Sequence, residues 1–511
     1  MIGSCLFCLL GGPRMSSAAD CLPLRVGNAD GNYIVPGVLG QIVYRRVDGV
    51  ELALDAYRQR EGRARPAVIV IHGGGYRAGS RVAFVGQLLE TLAGAGFNWV
   101  SIDYRLGGPE RRADALDDLR AAVEFVRCHA KELRVDPTRI ALLGEDTGAQ
   151  MAAALAAERP RGVKAAVLIG GVFDEAGALG SDAPEILAIH GAADSEVPLA
   201  RAQAFCDATR ARGGRCEVMP VEAGIHRHEN WRPAEWSYKP RLVAWLQARL
   251  GLQQARHEPY LDKRLHKNIV YDDRRGLTLD AYVPEGRGPF PGVIIVHGGG
   301  WEAGDKVTYV TPVLQPLARA GFAWFSIDYG LTPDVRHPQQ LEDLRAALAF
   351  VRRNAARLRV DAKRLALLGE SASGQMVAQL ATEEPDLAGV VSFYGVYDFV
   401  PLVTDAGPRS LLVRLFGRTS LDDAARDQLR RYSPLHHVSQ KMPPLLLIHG
   451  TDERLWAQGI AMRDRLAAAG VRHELLAVEG APHGMENWEG RPEWISYKRR
   501  LVDWLREHFR H

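Results

Sequence analysis

A chain of 511 residues exceeds what a single hydrophobic core serves and suits two domains of about 250 residues each. Charged residues at 24% and hydrophobic ones at 47% are the mix of an ordinary water-soluble globular fold. The net charge of +3 arises from Lys and Arg interleaved with Asp and Glu, so no basic tract argues for nucleic acid; no apolar run reaches the ~18 residues of a membrane span either.

At the N-terminus, Leu6 to Leu10 is a short apolar run, and Ser17, Ala18 and Ala19 resemble a signal-peptidase site. A basic n-region is missing, and Gly11, Gly12 and Pro13 interrupt the run early. Residues 1–30 therefore read as a leader, either a signal peptide or a disordered stretch; a start assigned too far upstream, with Met15 the true one, is the alternative. Export to a secreted or periplasmic location is the expectation, with a cytoplasmic one as the alternative. The six cysteines all lie in the first half, at 5, 8, 21, 128, 206 and 216; Cys5 and Cys8 form one CxxC, but no second such pair or Cys/His ligand spacing accompanies it, so a structural zinc is not expected. Cys206 and Cys216 could meet across a helix-to-strand turn, but free buried thiols are expected.

Residues 31–250 then alternate apolar β-rich runs with amphipathic helical ones. Strands are expected at Ala67 to Ile71, Trp99 to Ile102 and Arg139 to Leu143, with a helix at Asp117 to Val126. Residues 251–265 (GLQQARHEPYLDKRL) read as a linker. Residues 266–511 repeat the pattern, with strands at Gly292 to Val296, Phe322 to Ile327 and Arg364 to Leu368. A helix over Gln340 to Leu358 carries Leu341, Leu344, Leu348 and Val351 at helical spacing. Strands of nearly continuous Val, Ile and Leu alternating with helices imply an α/β fold: a mostly parallel sheet with helices on both faces, once per half.

The halves are copies. HGGGY at His72 recurs as HGGGW at His297, SIDYRL at Ser101 as SIDYGL at Ser326, and ALLGEDTG as ALLGESAS. His72 and His297, Asp103 and Asp328, and Asp146 and Ser371 are each 225 positions apart, and so constant an offset means duplication. One segment breaks the match. Asp174 and His190 are 16 positions apart, whereas Asp398 and His449 are 51 apart. The extra stretch, about 399–440, carries Leu411, Leu412, Leu415 and Phe416 and reads as a helical cap over a pocket.

The second copy holds the parts of a nucleophilic site. Ser371 follows a strand and precedes a helical run, Gln375 to Ala381, the setting of a nucleophile elbow. A serine hydroxyl needs a base to take its proton, and the oxyanion it creates needs preorganised donors. The backbone N–H groups of Gly298, Gly299 and Ala372 are the expected donors, His483 is the expected base, and Trp301 and Glu370 are placed at the substrate pocket. For the acid, gapless matching from the His-Gly pair sets Glu453 opposite Asp194. The stretch onward to the histidine is two residues shorter in the second copy, which allows Asp452 instead. Asp is the commoner residue in this role, so Asp452 is favoured, with Glu453 the alternative. Ser373 stands where the elbow pattern expects glycine, which predicts slight strain and lowered activity.

These motifs, with SIDYGLTP, HPQQLEDLRAALAFVRRNA, GESASG, YSPLHHV and APHG, resemble α/β-hydrolase-fold esterases with an HGGGW oxyanion motif. The second copy is similar to the hormone-sensitive-lipase-like group and to bacterial feruloyl and acetylxylan esterases of the Bacteroidetes type. The resemblance implies a carboxylic-ester hydrolase that needs neither metal nor cofactor and works through an acyl-enzyme. Its expected substrate is a small-molecule or polysaccharide-linked ester of plant cell-wall carbohydrate; a broad small-acyl esterase, an arylformamidase or a non-catalytic scaffold are the alternatives. No nucleic-acid or membrane partner is expected, and the two domains are expected to pack on each other.

The first copy keeps its glycine loop at Gly73 and Gly74, its acid Asp194 and its histidine His226, but Asp146 replaces the nucleophile. Three readings stand open. Asp146 could attack carbon as in haloalkane dehalogenases and epoxide hydrolases, although a carboxylate attacking an ester gives only an anhydride. It could instead fix His226 in a binding site. Finally, the copy could be a pseudo-enzyme, with residual hydrolysis resting on another residue such as Thr147.

Overall fold

The computed structural model describes residues 21–27, 37–59, 62–173, 177–226, 228, 231, 237–252, 263–405, 407, 410–489 and 491–510. The leader up to residue 20 and linker residues 253–262 lie outside the described residues.

Two eight-stranded sheets follow one another along the chain. The first contains β1 (Val38–Val47), β2 (Val50–Tyr57), β3 (Arg65–Ile71), β4 (Asn98–Ile102), β5 (Val135–Glu145), β6 (Val163–Ile169), β7 (Glu185–Gly191) and β8 (Cys216–Val221). The second contains β9 (Leu265–Asp272), β10 (Leu277–Tyr282), β11 (Phe290–Val296), β12 (Ala323–Ile327), β13 (Val360–Glu370), β14 (Gly389–Phe393), β15 (Leu445–Gly450) and β16 (His473–Val478). The orders are β1-β2-β4-β3-β5-β6-β7-β8 and, equivalently, β9-β10-β12-β11-β13-β14-β15-β16. From β4 to β8 and from β12 to β16 neighbours run parallel, whereas β1, β2, β9 and β10 form antiparallel edges. These are two tandem α/β-hydrolase folds.

Burial explains the strand sequences. Val293 to Val296 and Val68 to Ile71 are fully buried, because helices cover both sheet faces and leave no polar side. The antiparallel edges escaped sequence reading because β9 alternates exposed and half-buried residues and lacks an apolar run. The expected helix over Gln340 to Leu358 is two pieces, Gln339–Arg353 and Ala355–Leu358, with Asn354 capping the first.

Each β5- or β13-type strand ends in a sharp elbow into a helix, Thr147–Ala157 or Ala372–Ala381. The elbow residues have φ of +49° at Asp146 and +56° at Ser371, a strained conformation for a residue with a Cβ. A glycine two residues before is sterically required: a Cβ on Gly369 would lie 2.3 Å from the Ser373 carbonyl oxygen. The 399–440 stretch contains helices Leu411–Phe416 and Asp423–Arg431. It is tied to the body by Arg414 pairing with Glu302, by Gln375 donating to the Tyr432 carbonyl and by His337 N–H donating to the Leu415 carbonyl.

The expectation of free thiols at Cys206 and Cys216 is corrected: they form a disulfide. The helix Leu199–Ala211 turns directly into β8 and sets their Cα atoms 5.1 Å apart, within bridging range. A second disulfide joins Cys21 to Cys128.

Candidate active site

Ser371 is half-buried at its elbow, and its Oγ lies 2.9 Å from Nε2 of His483, which sits on the loop after β16. His483 Nδ1 lies 2.5 Å from Oε2 of Glu453, on the loop after β15. A carboxylate can only accept, so Nδ1 carries the proton and Nε2 offers its lone pair to the serine hydroxyl. The strand ends thus bring Ser371, His483 and Glu453 together from three loops at the carboxyl edge of the sheet.

The acid is Glu453. Asp452 is corrected: its side chain is exposed, and its backbone N–H donates to the Ala481 carbonyl. The extra methylene of Glu453 spans the gap that the shortened loop leaves. Glu453 also accepts from Nδ1 of His449, at 3.0 Å, and its side chain is fully buried. Burial alone would raise its pKa, but the hydrogen bonds from His449 and His483 outweigh it and hold the carboxyl below its ordinary value. Burial pushes the His449 pKa down, so its ring is neutral, and Nε2 lies 3.3 Å from the Tyr397 hydroxyl. His449 escaped sequence reading; its only signal was the His-Gly pair shared with His190.

The oxyanion donors are also corrected in part. Gly298 N–H is spent on Glu370 Oε1 at 2.6 Å. The first copy shows which donors aim at the elbow. There, Oδ2 of Asp146 accepts from Gly74 N–H at 3.0 Å and from Gly75 N–H at 3.2 Å. At an offset of 225, those positions are Gly299 and Gly300. A negatively charged oxygen on the elbow side chain is therefore met by the second and third glycines of the motif. Ala372, the first residue of the elbow helix, is buried directly behind Ser371.

Glu370, expected at the substrate pocket, is instead buried behind the glycine loop. Burial pushes its pKa up to about 7, against the lowering effects of His483, the Gly298 N–H and the Tyr394 hydroxyl. Tyr394 accepts from Met485 N–H, and its ring centre lies 4.6 Å from that of His483. Trp301 is buried against Phe399, 5.5 Å between ring centres, at the root of the inserted stretch. His297 is no catalytic base: its Nδ1 contacts the Gly298 carbonyl, its ring stacks on Tyr329, and burial lowers its pKa.

Ser373 does not strain the elbow. Its hydroxyl donates to the Val296 carbonyl at 2.6 Å and accepts from Glu370 N–H at 2.8 Å, strapping the nucleophile turn to the end of β11. In the first copy, Asp194 Oδ2 lies 2.9 Å from His226 Nδ1, so Asp194 and not Asp146 holds that histidine. Thr147 is buried. Among the described residues no group of His, Cys, Asp and Glu could hold a metal ion.

The BD-FAE family model matches residues 54–164 and 279–459, one stretch in each copy and together more than half of the chain. Esterase LipC of Mycobacterium tuberculosis is 29% identical over 46% of this chain, and the chain spans only 62% of that protein's length. Carboxylesterase NlhH of the same organism is 27% identical over 47% of this chain and 82% of its own. A solved esterase from Thermogutta terrifontis with propionate bound is 27% identical, covering 43% of this chain and 97% of its own at a TM-score of 0.39. On the family match, this chain belongs to the BD-FAE family.

Proposed function

We propose that the second copy is a serine carboxylic-ester hydrolase and that the first is a pseudo-esterase. The observation that carries the reading is the Ser371–His483–Glu453 chain, set at an elbow whose first-copy equivalent is met by the N–H groups of Gly74 and Gly75, the counterparts of Gly299 and Gly300. In this scheme His483 Nε2 takes the proton as Ser371 Oγ attacks the ester carbonyl carbon. Gly299, Gly300 and Ala372 N–H groups receive the oxyanion, and His483 returns the proton to the leaving alcohol. Water, deprotonated by the same nitrogen, then releases the acid from the acyl-enzyme. Glu453 keeps the histidine in the tautomer that both halves of this cycle require.

The catalytic unit spans residues 266–511 with a cap at about 399–440, and residues 31–250 form the pseudo-esterase. The motif resemblance and the family support feruloyl or acetyl esters of plant cell-wall carbohydrate as substrates. A broader short-acyl esterase is the second reading, favoured by the similarity to carboxylesterase NlhH. The two disulfides support a secreted or periplasmic location, because such bonds persist in oxidising compartments. Turnover of p-nitrophenyl acetate should fall to background in Ser371→Ala; activity surviving that substitution overturns the assignment. Methyl ferulate and acetylated xylan, assayed beside short-chain esters, separate the two substrate readings.

A further inference from the structure

The two copies touch through the same loop of each. The contact is lined by Phe84 and Tyr309, by Gly86 and Thr311, and by Gln87 and Pro312, three pairs that are each 225 positions apart. The helices Gly86–Gly94 and Thr311–Arg319 begin there, end against end. A Cβ on Gly86 would sit 3.4 Å from Thr311 Oγ1, so this position meets its own equivalent. Self-meeting is the mark of a twofold axis: in an isologous contact only residues on the axis face their own copies. Gln87 Nε2 donates to Thr308 Oγ1 across the contact, and Lys267 Nζ bridges Glu90 of the first copy and Asp280 of the second. The cavity left between the faces is ≈ 20 Å³, room for about one water, so they close on each other.

This contact also stands behind the catalytic loops of the second copy. Tyr309 Cε2 would lie 3.2 Å from a Cβ on Gly299 and 3.1 Å from one on Gly304, so the ring backs the oxyanion loop. Glu486, three residues after His483, lines the same contact.

We propose that the two copies dock through equivalent faces about a pseudo-twofold axis, and that the serine-lacking copy thereby holds the oxyanion and histidine loops of its twin in working register. The duplicated chain is then a dimer made covalent, with one protomer retained as a positioning unit. The second half of this statement rests on Ser371 being the nucleophile; the first half does not.

Two measurements on the full chain test it. With Gly86→Cys and Thr311→Cys combined and a protease site placed within residues 253–262, oxidation followed by cleavage should leave the halves joined on a non-reducing gel. Reductant should separate them. The native disulfides lie within the first copy and cannot mimic this result. Halves that separate without reductant overturn the docking, and since no substrate is used, failure here is distinct from failure of the esterase assignment. In the second measurement, Gly86→Trp drives a ring into the opposite face and should lower kcat about tenfold with KM changed less than about twofold. Gly86→Ala, whose nearest neighbour lies at ordinary contact distance, should restore kcat. An unchanged kcat in folded Gly86→Trp overturns the positioning role.

Discussion

At Glu453 one carboxylate serves two histidines, and this favours it over Asp452 as the acid of the proposed site. Oε2 holds His483 and Oε1 holds His449, so both oxygens are engaged in a fully buried side chain. Glu453→Gln would put an amide between the rings, with its N–H₂ facing one N–H donor. The histidine would lose the tautomer that activates Ser371, and kcat should drop by on the order of 10⁴-fold, as removal of the acid does in such triads. Asp452→Asn, at an exposed side chain, should leave kcat within about twofold. Steady-state kinetics of the two variants side by side checks the assignment, and the reverse ranking would return the role to Asp452.

The elbows show what a single hydroxyl does to an element. A Cβ on Gly148 of the first copy would lie 2.2 Å from the Ile71 carbonyl oxygen, yet the matching position of the second copy carries Ser373. There the side chain turns the close approach into a hydrogen bond to the Val296 carbonyl. Ser373→Ala would remove the bond to that carbonyl and the acceptor of the Glu370 N–H inside the protein, costing about 1–3 kcal/mol. Thermal unfolding should register a fall in Tm of about 2–4 °C per kcal/mol. No change would mean that the strap is idle. The inserted stretch acts on its surroundings in a comparable way. Val396 is 6% exposed and shares a core with Leu412, Leu415 and Phe416, whereas its first-copy equivalent Val172, which has no such stretch beside it, is 41% exposed. Its apolar spacing was legible in the sequence. Its attachment through Glu302 and Gln375 was not, because those partners lie far away in the chain.

Across the whole molecule, the proposed pseudo-esterase reading makes the first copy a site stopped by its own side chain. Asp146 presents to Gly74 and Gly75 the anionic oxygen that a reacting ester would otherwise place there. Two backbone donors hold that oxygen at 3.0 and 3.2 Å, so in this reading the carboxylate both replaces the nucleophile and occupies the place of the oxyanion. Asp194 and His226 remain paired at 2.9 Å. In a Ser371→Ala background, Asp146→Ser should therefore raise p-nitrophenyl acetate hydrolysis above that of Ser371→Ala alone. No gain would show that this copy has lost more than its nucleophile.

The sequence by itself determined the duplication and the α/β architecture and singled out Ser371 and His483 as candidates, because periodicity and constant spacing are written along the chain. Tertiary structure alone set Glu453 rather than Asp452 against His483, spent the Gly298 N–H on Glu370, and joined Cys206 to Cys216. Each of those depends on where side-chain atoms one residue or one methylene apart come to rest. Neighbouring residues on a loop look alike in a string of letters, and only the packed strands beneath them fix which one reaches the histidine.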